Sequence, residues 1–581
     1  MFWIAQLPAL QVVYPSDRHE TTADRIFLIG TADPQQPVTA NGQVIQRSPA
    51  GHFAPSFPLQ LGPNQFELRS GNQTLMLTIL RKPTQPVLAP GVLFDNLQPS
   101  QAIAVSPNEP VCFAAIAVPQ AQLKVQIGAL QVPLQAQASA PLPSNAAVLI
   151  GQNQPNRPAS VQRYEGCTTA LPAGFQGRPI FQIQAGDRRL TQTAQGSVTV
   201  WPAQPYRVAS VTVPEAIART GPSTDHSRLT PLPQGTQAQV LAQTGDWLRL
   251  AYGGWIRQSE ARVNTSAALP RSQVRSARFQ NRDRWLEFQV PLTRPVPIRL
   301  EQQGDRLNLH LYETTAQTDT IRLTTQPWLQ RFRWEQVRPN EVLYQFQFAT
   351  AQQWGYRVRY DGNTLVLSIR KPPQLSNSRS QPLQGLRIYL DPGHGSAEDL
   401  GARGPDGTPE KDVTLTVSKL LRDRLQQLGA TVLMSREGNE DIWPQERAAQ
   451  IQTLEPDIAL SLHYNALPDA GDAEGTQGIG TFWYQDQSQD LARSLHDSLV
   501  TRLQRPSYGV FWNNLALARP TVAPSVLLEL GFMINPQEFE WIVDPQAQTQ
   551  LAEAIAQGIL DWFHSQPQSL KYTSGSASMA P

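Results

Sequence analysis

Charge is scarce in this chain. Asp, Glu, Lys and Arg make up 16% of the 581 residues, and 48 basic against 47 acidic residues leave a formal net charge of +1. No basic block stands out, so the electrostatic footprint of a nucleic-acid binder is missing and no nucleic-acid partner is expected. No apolar run reaches the roughly 20 residues of a membrane-spanning helix, so no transmembrane segment is expected. Only two cysteines occur, Cys112 and Cys167. Two cysteines this far apart do not make a zinc site. They read as two unpaired buried thiols or as one structural disulfide, and the second would fit an oxidising compartment. The opening "MFWIAQLPALQVVYP" is apolar, but it has no positive start and is interrupted by Gln6 and Pro8. It reads as a poor or truncated export signal, or simply as a first strand.

Proline, by contrast, is abundant at 50 residues. It favours short strands, turns and extended linkers over long helices. The length implies several domains. Residues 1–83 alternate short apolar runs with turn signals, among them Asn41-Gly42. That is sandwich spacing, and the segment resembles bacterial Ig-like modules. Residues 84–205 read as a second β domain. Over 207–263 the order Arg219, Gly221-Pro222-Ser223, Gly245-Asp246-Trp247 and Gly254-Trp255 resembles a bacterial SH3 domain, a small β-barrel. Trp247 and Trp255 there read either as barrel core or as a wall-contact rim. Residues 274–371 alternate apolar and polar positions, as in "RDRWLEFQVP" and "EVLYQFQFA". Their order resembles the AMIN module. The Pro-, Ser- and Gln-rich 372–385 reads as a linker.

After residue 385 strands alternate with helices. "GLRIYLD", "ATVLMS", "DIALSLH", "GIGTFWY" and "SVLLELG" are strand-like. "KDVTLTVSKLLRDRLQQLG" puts Val413, Val417, Leu420, Leu421, Leu425 and Leu428 on one helical stripe and stops at Gly429. The fold class expected is therefore a multidomain chain. All-β modules, a sandwich and an SH3-like barrel among them, precede a C-terminal α/β domain (386–563) with a mostly parallel sheet. The polar 564–581 reads as a disordered tail.

In such sheets functional residues gather at the C-terminal strand ends. His394 follows the first strand, His463 ends "DIALSLH", Glu529 ends "SVLLEL", and Glu410 opens the first helix after a Gly-rich loop. Two His and one carboxylate with an open position make a catalytic zinc set. Such a site lowers the pKa of a bound water towards about 7, and Glu529 fits the role of proton shuttle. Each residue also has a plainer reading. His394 could fill a loop, Glu410 could favour a helix N-terminus, and His463 could be a hydrogen-bonded strand-end residue. Glu529 resists that treatment, because an unpaired carboxylate in an apolar run is costly. His19, His52, His226, His310, His496 and His564 read as surface or packing residues.

"DPGHGSAEDLGARGPDGTPEKD", "SLHYNA" and "LLELGF", in this order, resemble the zinc-dependent N-acetylmuramoyl-L-alanine amidases of the amidase_3 type. The resemblance covers about residues 386–563. It implies one zinc ion held by His394, Glu410 and His463, with Glu529 as catalytic acid–base and Asn465 beside the substrate. It also implies cleavage of the amide between N-acetylmuramic acid and L-alanine in peptidoglycan, in the periplasm or cell envelope. Ser396 and Ser435-Arg436 stand where the family often has Gly and Thr-Arg, and "RAAQ" (447–450) stands where Arg…Ala-Asn is common. Some members carry an inhibitory helix before the last strand. Here "LQRPSYGVFWNNLALARPTVAP" is too short for one, so no such plug is expected. The readings set against the amidase are a zinc peptidase of the wall and a wall-binding protein with an inactive domain.

Overall fold

The computed structural model describes residues 9–83, 88, 92–137, 143–150, 153–154, 161–323 and 326–566. The first eight residues of the opening stretch 1–15, read above as a poor export signal or a first strand, and nearly all of the expected tail lie outside these. Among the described residues no helix is long and apolar enough to cross a membrane.

The region before residue 372 is built of β-sheets. Gln11–Tyr14 starts a three-stranded sheet that faces a five-stranded one over the core of Ile26, Val38, Phe53, Phe66 and Ile79. In the next segment Cys112 and Cys167 sit opposite each other on antiparallel strands and are joined by a disulfide, which resolves the two readings left open above. Ile103–Val105 from this segment pairs with Gln237–Thr244, so one sheet runs across residue 206 into the small barrel-like unit. That unit closes its own core with Leu232, Val240, Leu248 and Ile256. Trp247 is buried, and Trp255 is half-buried. Residues 272–370 form a five-stranded and a four-stranded sheet around Phe288, Leu309, Tyr344, Phe346 and Leu367.

Elements of the C-terminal domain are numbered from its start. β1 is Arg387–Pro392, α1 Glu410–Gln427, β2 Thr431–Met434 and α2 Pro444–Leu454. β3 is Ile458–Asn465, β4 Ile479–Trp483, α3 Gln489–Leu503 and β5 Ser507–Trp512. β6 is Ser525–Phe532, α4 Pro536–Val543 and α5 Pro545–Ser565. The sheet order is β2-β1-β3-β6-β4-β5, parallel except where β4 runs against β6. Val413, Val417, Leu421 and Leu425 are buried against it, while Leu420 and Leu428 pack at the margin of the stripe. α5 runs two residues beyond the expected domain end. Between α3 and β6 lie only β5 and a single 3-10 turn, Ala516–Ala518, with no α-helix.

The β modules are packed against this domain. Asp457, just before β3, accepts hydrogen bonds from Arg284 and Arg370. Trp354 stacks on Phe563 at 6.0 Å. Residues 372–385 form no helix or strand, yet Leu383 is buried in the C-terminal core. Phe27 and Ile29 of the first module pack on Phe532 and Ile534 at the end of β6.

Candidate metal centre

β1 delivers the chain to Gly393-His394. His394 adopts φ of 60°, a left-handed conformation that a side-chain-bearing residue holds only when its surroundings enforce it. Two buried arginines do so. Arg447 donates to the His394 carbonyl (2.6 Å) and to Asp391 (2.7 Å). Arg436 donates to the carbonyls of Pro392 and Gly393, both at 2.9 Å. The loop then returns to Glu410 at the start of α1. Glu410 accepts from the backbone N–H of Ala402 (2.8 Å) and of Tyr464 (2.9 Å). Its carboxylate is thereby pinned between the loop and β3.

Glycine is required where these pieces meet. A Cβ on Gly393 would lie 2.5 Å from the His463 ring. A Cβ on Gly401, at φ +70°, would lie 2.5 Å from both Glu410 Oε2 and the His394 ring. The loop is cut to leave room for a His–Glu–His cluster.

The cluster is tight. One donor atom from each of His394, Glu410 and His463 lies within 4.8 Å of the others. His394 Nε2 is 3.1 Å from Glu410 Oε2, and His463 Nδ1 is 3.1 Å from Glu410 Oε1. Burial favours a neutral His394, but hydrogen bonds and charge from Glu410 and Asp399 outweigh it and raise the imidazole to about 9. Burial opposes charge on Glu410 as well, yet the two histidines hold it down to about 2. Without a metal the cluster is an ion-paired proton trap. Two imidazoles and one buried carboxylate around a common point also suit a divalent ion of borderline softness, zinc foremost.

Glu529 stands opposite His463 in the β3–β6 register. Its Oε2 is buried without a hydrogen-bond partner. Burial first, and the Glu410 charge second, raise its pKa well above the ordinary carboxylate range. Asn465, two residues past His463 along β3, accepts from the Ala466 N–H at 2.9 Å.

The sequence reading missed several residues around this cluster. Asp399 Oδ1 lies 2.6 Å from His394 Nδ1. With that nitrogen engaged, Nε2 is the one turned to Glu410. Spacing offered a faint signal, a carboxylate five residues past the His in the same loop. Arg436 and Arg447 stood at the family positions noted in the sequence, but their role of holding the His394 loop was not legible, because most of their partners are backbone carbonyls. Tyr508 on β5 is raised by burial and by the charge of Glu529, and its hydroxyl donates to the Leu149 carbonyl of the second β module. Tyr14 and His19 of the first module bond to Asp469, in the loop that follows β3. Both N-terminal modules therefore reach the rim of the site.

The profile of the N-acetylmuramoyl-L-alanine amidase family Amidase_3 matches residues 388–561. The chain is similar to the germination-specific N-acetylmuramoyl-L-alanine amidase of Bacillus subtilis, 32% identical over 212 residues that cover 32% of this chain and 82% of that protein. It is 32% identical over 188 residues to the probable cell wall amidase LytH of Staphylococcus epidermidis, covering 32% of this chain and 61% of that one. Among solved structures, an N-acetylmuramoyl-L-alanine amidase from Clostridium difficile matches with 30% identity and a TM-score of 0.30, covering 31% of this chain and 98% of that chain.

Proposed function

The chain belongs to the Amidase_3 family of N-acetylmuramoyl-L-alanine amidases, cell-wall hydrolases of peptidoglycan, and we propose that His394, Glu410, His463 and Glu529 carry its catalysis as a one-zinc centre. The observation that supports this most is the convergence of three ligand-type side chains within 4.8 Å, beside a buried carboxylate with an unpartnered oxygen. Zinc, when bound, supplies a Lewis acid that polarises the lactyl carbonyl and acidifies a water.

His394 and His463 would each offer an imidazole nitrogen and Glu410 a carboxylate oxygen. Asp399 holds His394 in the tautomer that frees Nε2. Glu529 takes the proton of the attacking water and passes it to the departing L-alanine amine. Its high proton affinity suits the second half of that task, because a carboxyl that keeps its proton near neutral pH can deliver it to a leaving group. Asn465, at the end of β3, would contact substrate.

The β modules fit a role in holding the enzyme on the wall. We read 207–263 as SH3-like and 274–371 as AMIN-like, with an Ig-like module at 1–83. The Cys112–Cys167 disulfide favours an extracytoplasmic site, periplasm or envelope. The test is digestion of peptidoglycan by the purified protein, with mass spectrometry of the products. Free stem peptides beginning with L-alanine are expected, and they should vanish with chelator or in Glu529→Gln. Products cut between two amino acids, or activity that survives both controls, would refute the assignment.

A further inference from the structure

A cavity of about 1060 Å³ lies where the 272–370 module meets the C-terminal domain. Three parts of the chain line it. The module supplies Asp283, Arg284, Gln326 and Trp328, residues 371–376 run along one side, and Arg387 of β1 comes from the catalytic sheet. Arg387 opens β1 and Pro392 closes it. About 17 Å of strand therefore separate this cavity from the turn that carries His394.

Two charged side chains on this wall have no counter-charge. The Arg387 backbone N–H donates to Asp457 at 2.8 Å, but its guanidinium has no hydrogen bond or ion pair among the described residues. The Asp283 carboxylate has none either. Lys371, whose charge reaches Asp283, gives its ammonium to the carbonyls of Arg282 (2.5 Å) and Asp283 (2.9 Å) instead. Arg284 is engaged in the same way, by Asp457 and by the Glu455 carbonyl at 3.3 Å. The Gln326 side-chain amide, among the described residues, has no partner. The Trp328 indole N–H is buried, also without one. An acid and a base that line one cavity without pairing suit a ligand that carries both charges, and the free amide and indole suit one with a peptide backbone.

We propose that this cavity is a second, non-catalytic site that binds the free stem peptide released by amide cleavage, its N-terminal ammonium on Asp283 and its C-terminal carboxylate on Arg387. Hydrolysis adds water across the lactyl amide. The carboxylate stays on muramic acid and the amine leaves with the peptide, so a charged L-alanine N-terminus belongs to the released peptide alone. The size agrees. A sphere of this volume is about 13 Å across, and four extended residues span about 13 Å. The choice of a stem peptide rests on the amidase reading, while the pair of opposite charges rests on the cavity. A peptide seated here bridges the module, the 371–376 segment and β1, so the product would be sensed at the far end of the sheet from where it is made.

The test is calorimetric titration of the full chain with a synthetic stem tetrapeptide that begins with L-alanine. Capping either end, by N-acetylation or as the C-terminal amide, is expected to weaken binding about tenfold. Asp283→Asn should bind the free peptide about tenfold more weakly and no longer distinguish it from the acetylated one. Arg387→Gln should do the same for the amidated one. Hydrolysis of a small muramoyl-peptide should stay within about twofold of wild type in both variants, which shows the catalytic domain folded. That assay also tests the amidase reading separately: peptide binding without hydrolysis in wild type would refute the reading and leave the site. Equal affinity of wild type for free and capped peptides would overturn the proposal, even if a variant failed to fold. So would undiminished discrimination in both variants, or saturable binding of stem-free glycan in place of the peptide.

Discussion

Asp457 and Glu529 are acids of neighbouring strands in one sheet, placed at opposite ends. Asp457, just before β3, has a side chain only 2% exposed and is fully engaged. Arg370 lies 2.9 Å away, Arg284 reaches the same oxygen, and the Arg387 N–H donates to the other at 2.8 Å. Glu529, near the end of β6, has a buried oxygen with no partner and a like charge nearby. One carboxylate is enclosed with its counter-charges, the other without. A buried charge costs several kcal/mol unless it is paired. The first arrangement therefore locks a β module onto the catalytic domain, and the second leaves Glu529 with the raised proton affinity that the proposed acid–base role would use.

Removing each charge separates the two roles. Glu529→Gln should cost about 10³-fold in amide hydrolysis, within the span of general acid–base catalysis. Its melting temperature should equal or exceed that of wild type, since an acid with raised pKa destabilises the fold above its unfolded pKa of 4.5. Chelated samples of both proteins, compared by thermal unfolding, check this. Asp457→Asn should do the reverse. Breaking a buried pair costs about 3–5 kcal/mol, so the melting temperature should drop while hydrolysis per folded molecule stays near wild type. A stability loss in Glu529→Gln, or none in Asp457→Asn, would break the comparison.

The end we propose to carry the chemistry was legible in the sequence as a cluster, and the clamped end was not. His394, Glu410 and His463 declare themselves through strand ends and a Gly-rich loop, and Glu529 through the cost of an acid in an apolar run. The α/β alternation was equally plain, because each element carries its own periodicity. Arg370, Trp285 and Asp457 have no such local signature. Trp285 gives its indole N–H to Glu455 at 3.0 Å and lies beneath the Arg357 guanidinium, yet in sequence it is one more alternating strand residue. The pairing of Ile103–Val105 with Gln237–Thr244 was hidden for the same reason. Long-range pairing depends on which edges meet, and no window of sequence contains both.

Asp399 extends the comparison to the second layer of the site. Asp399→Asn keeps the size of the side chain but removes the charge beside His394 Nδ1. Loss of an outer partner typically costs 10–100-fold in metal affinity. Zinc competition against a chelator should therefore show a drop of that order, with little change in the melting temperature of the metal-free protein. An unchanged affinity would mean that Glu410 alone orients the ring.

The smallest effect expected is the response of the metal-free protein to pH. His394 is raised from 6.5 to about 9. Its contribution to stability is complete below 6.5 and is lost as pH climbs through 9. Glu410 is lowered from 4.5 to about 2. Its contribution is present above 4.5 and is lost as pH falls through 2. Glu529, raised instead, withdraws stability as pH rises above 4.5. The melting temperature under chelator should accordingly decline by a few degrees between pH 6.5 and 9. Glu529→Gln should keep only the part that belongs to His394. Zinc should act in the opposite sense, because loading requires His394 to give up its proton, so the stabilisation gained on adding zinc should grow over the same interval. A metal-free melting temperature that rises from pH 6.5 to 9 would contradict the ion-paired trap. The residues that bind protons so firmly in the empty cluster would then have to owe their positions to the backbone alone.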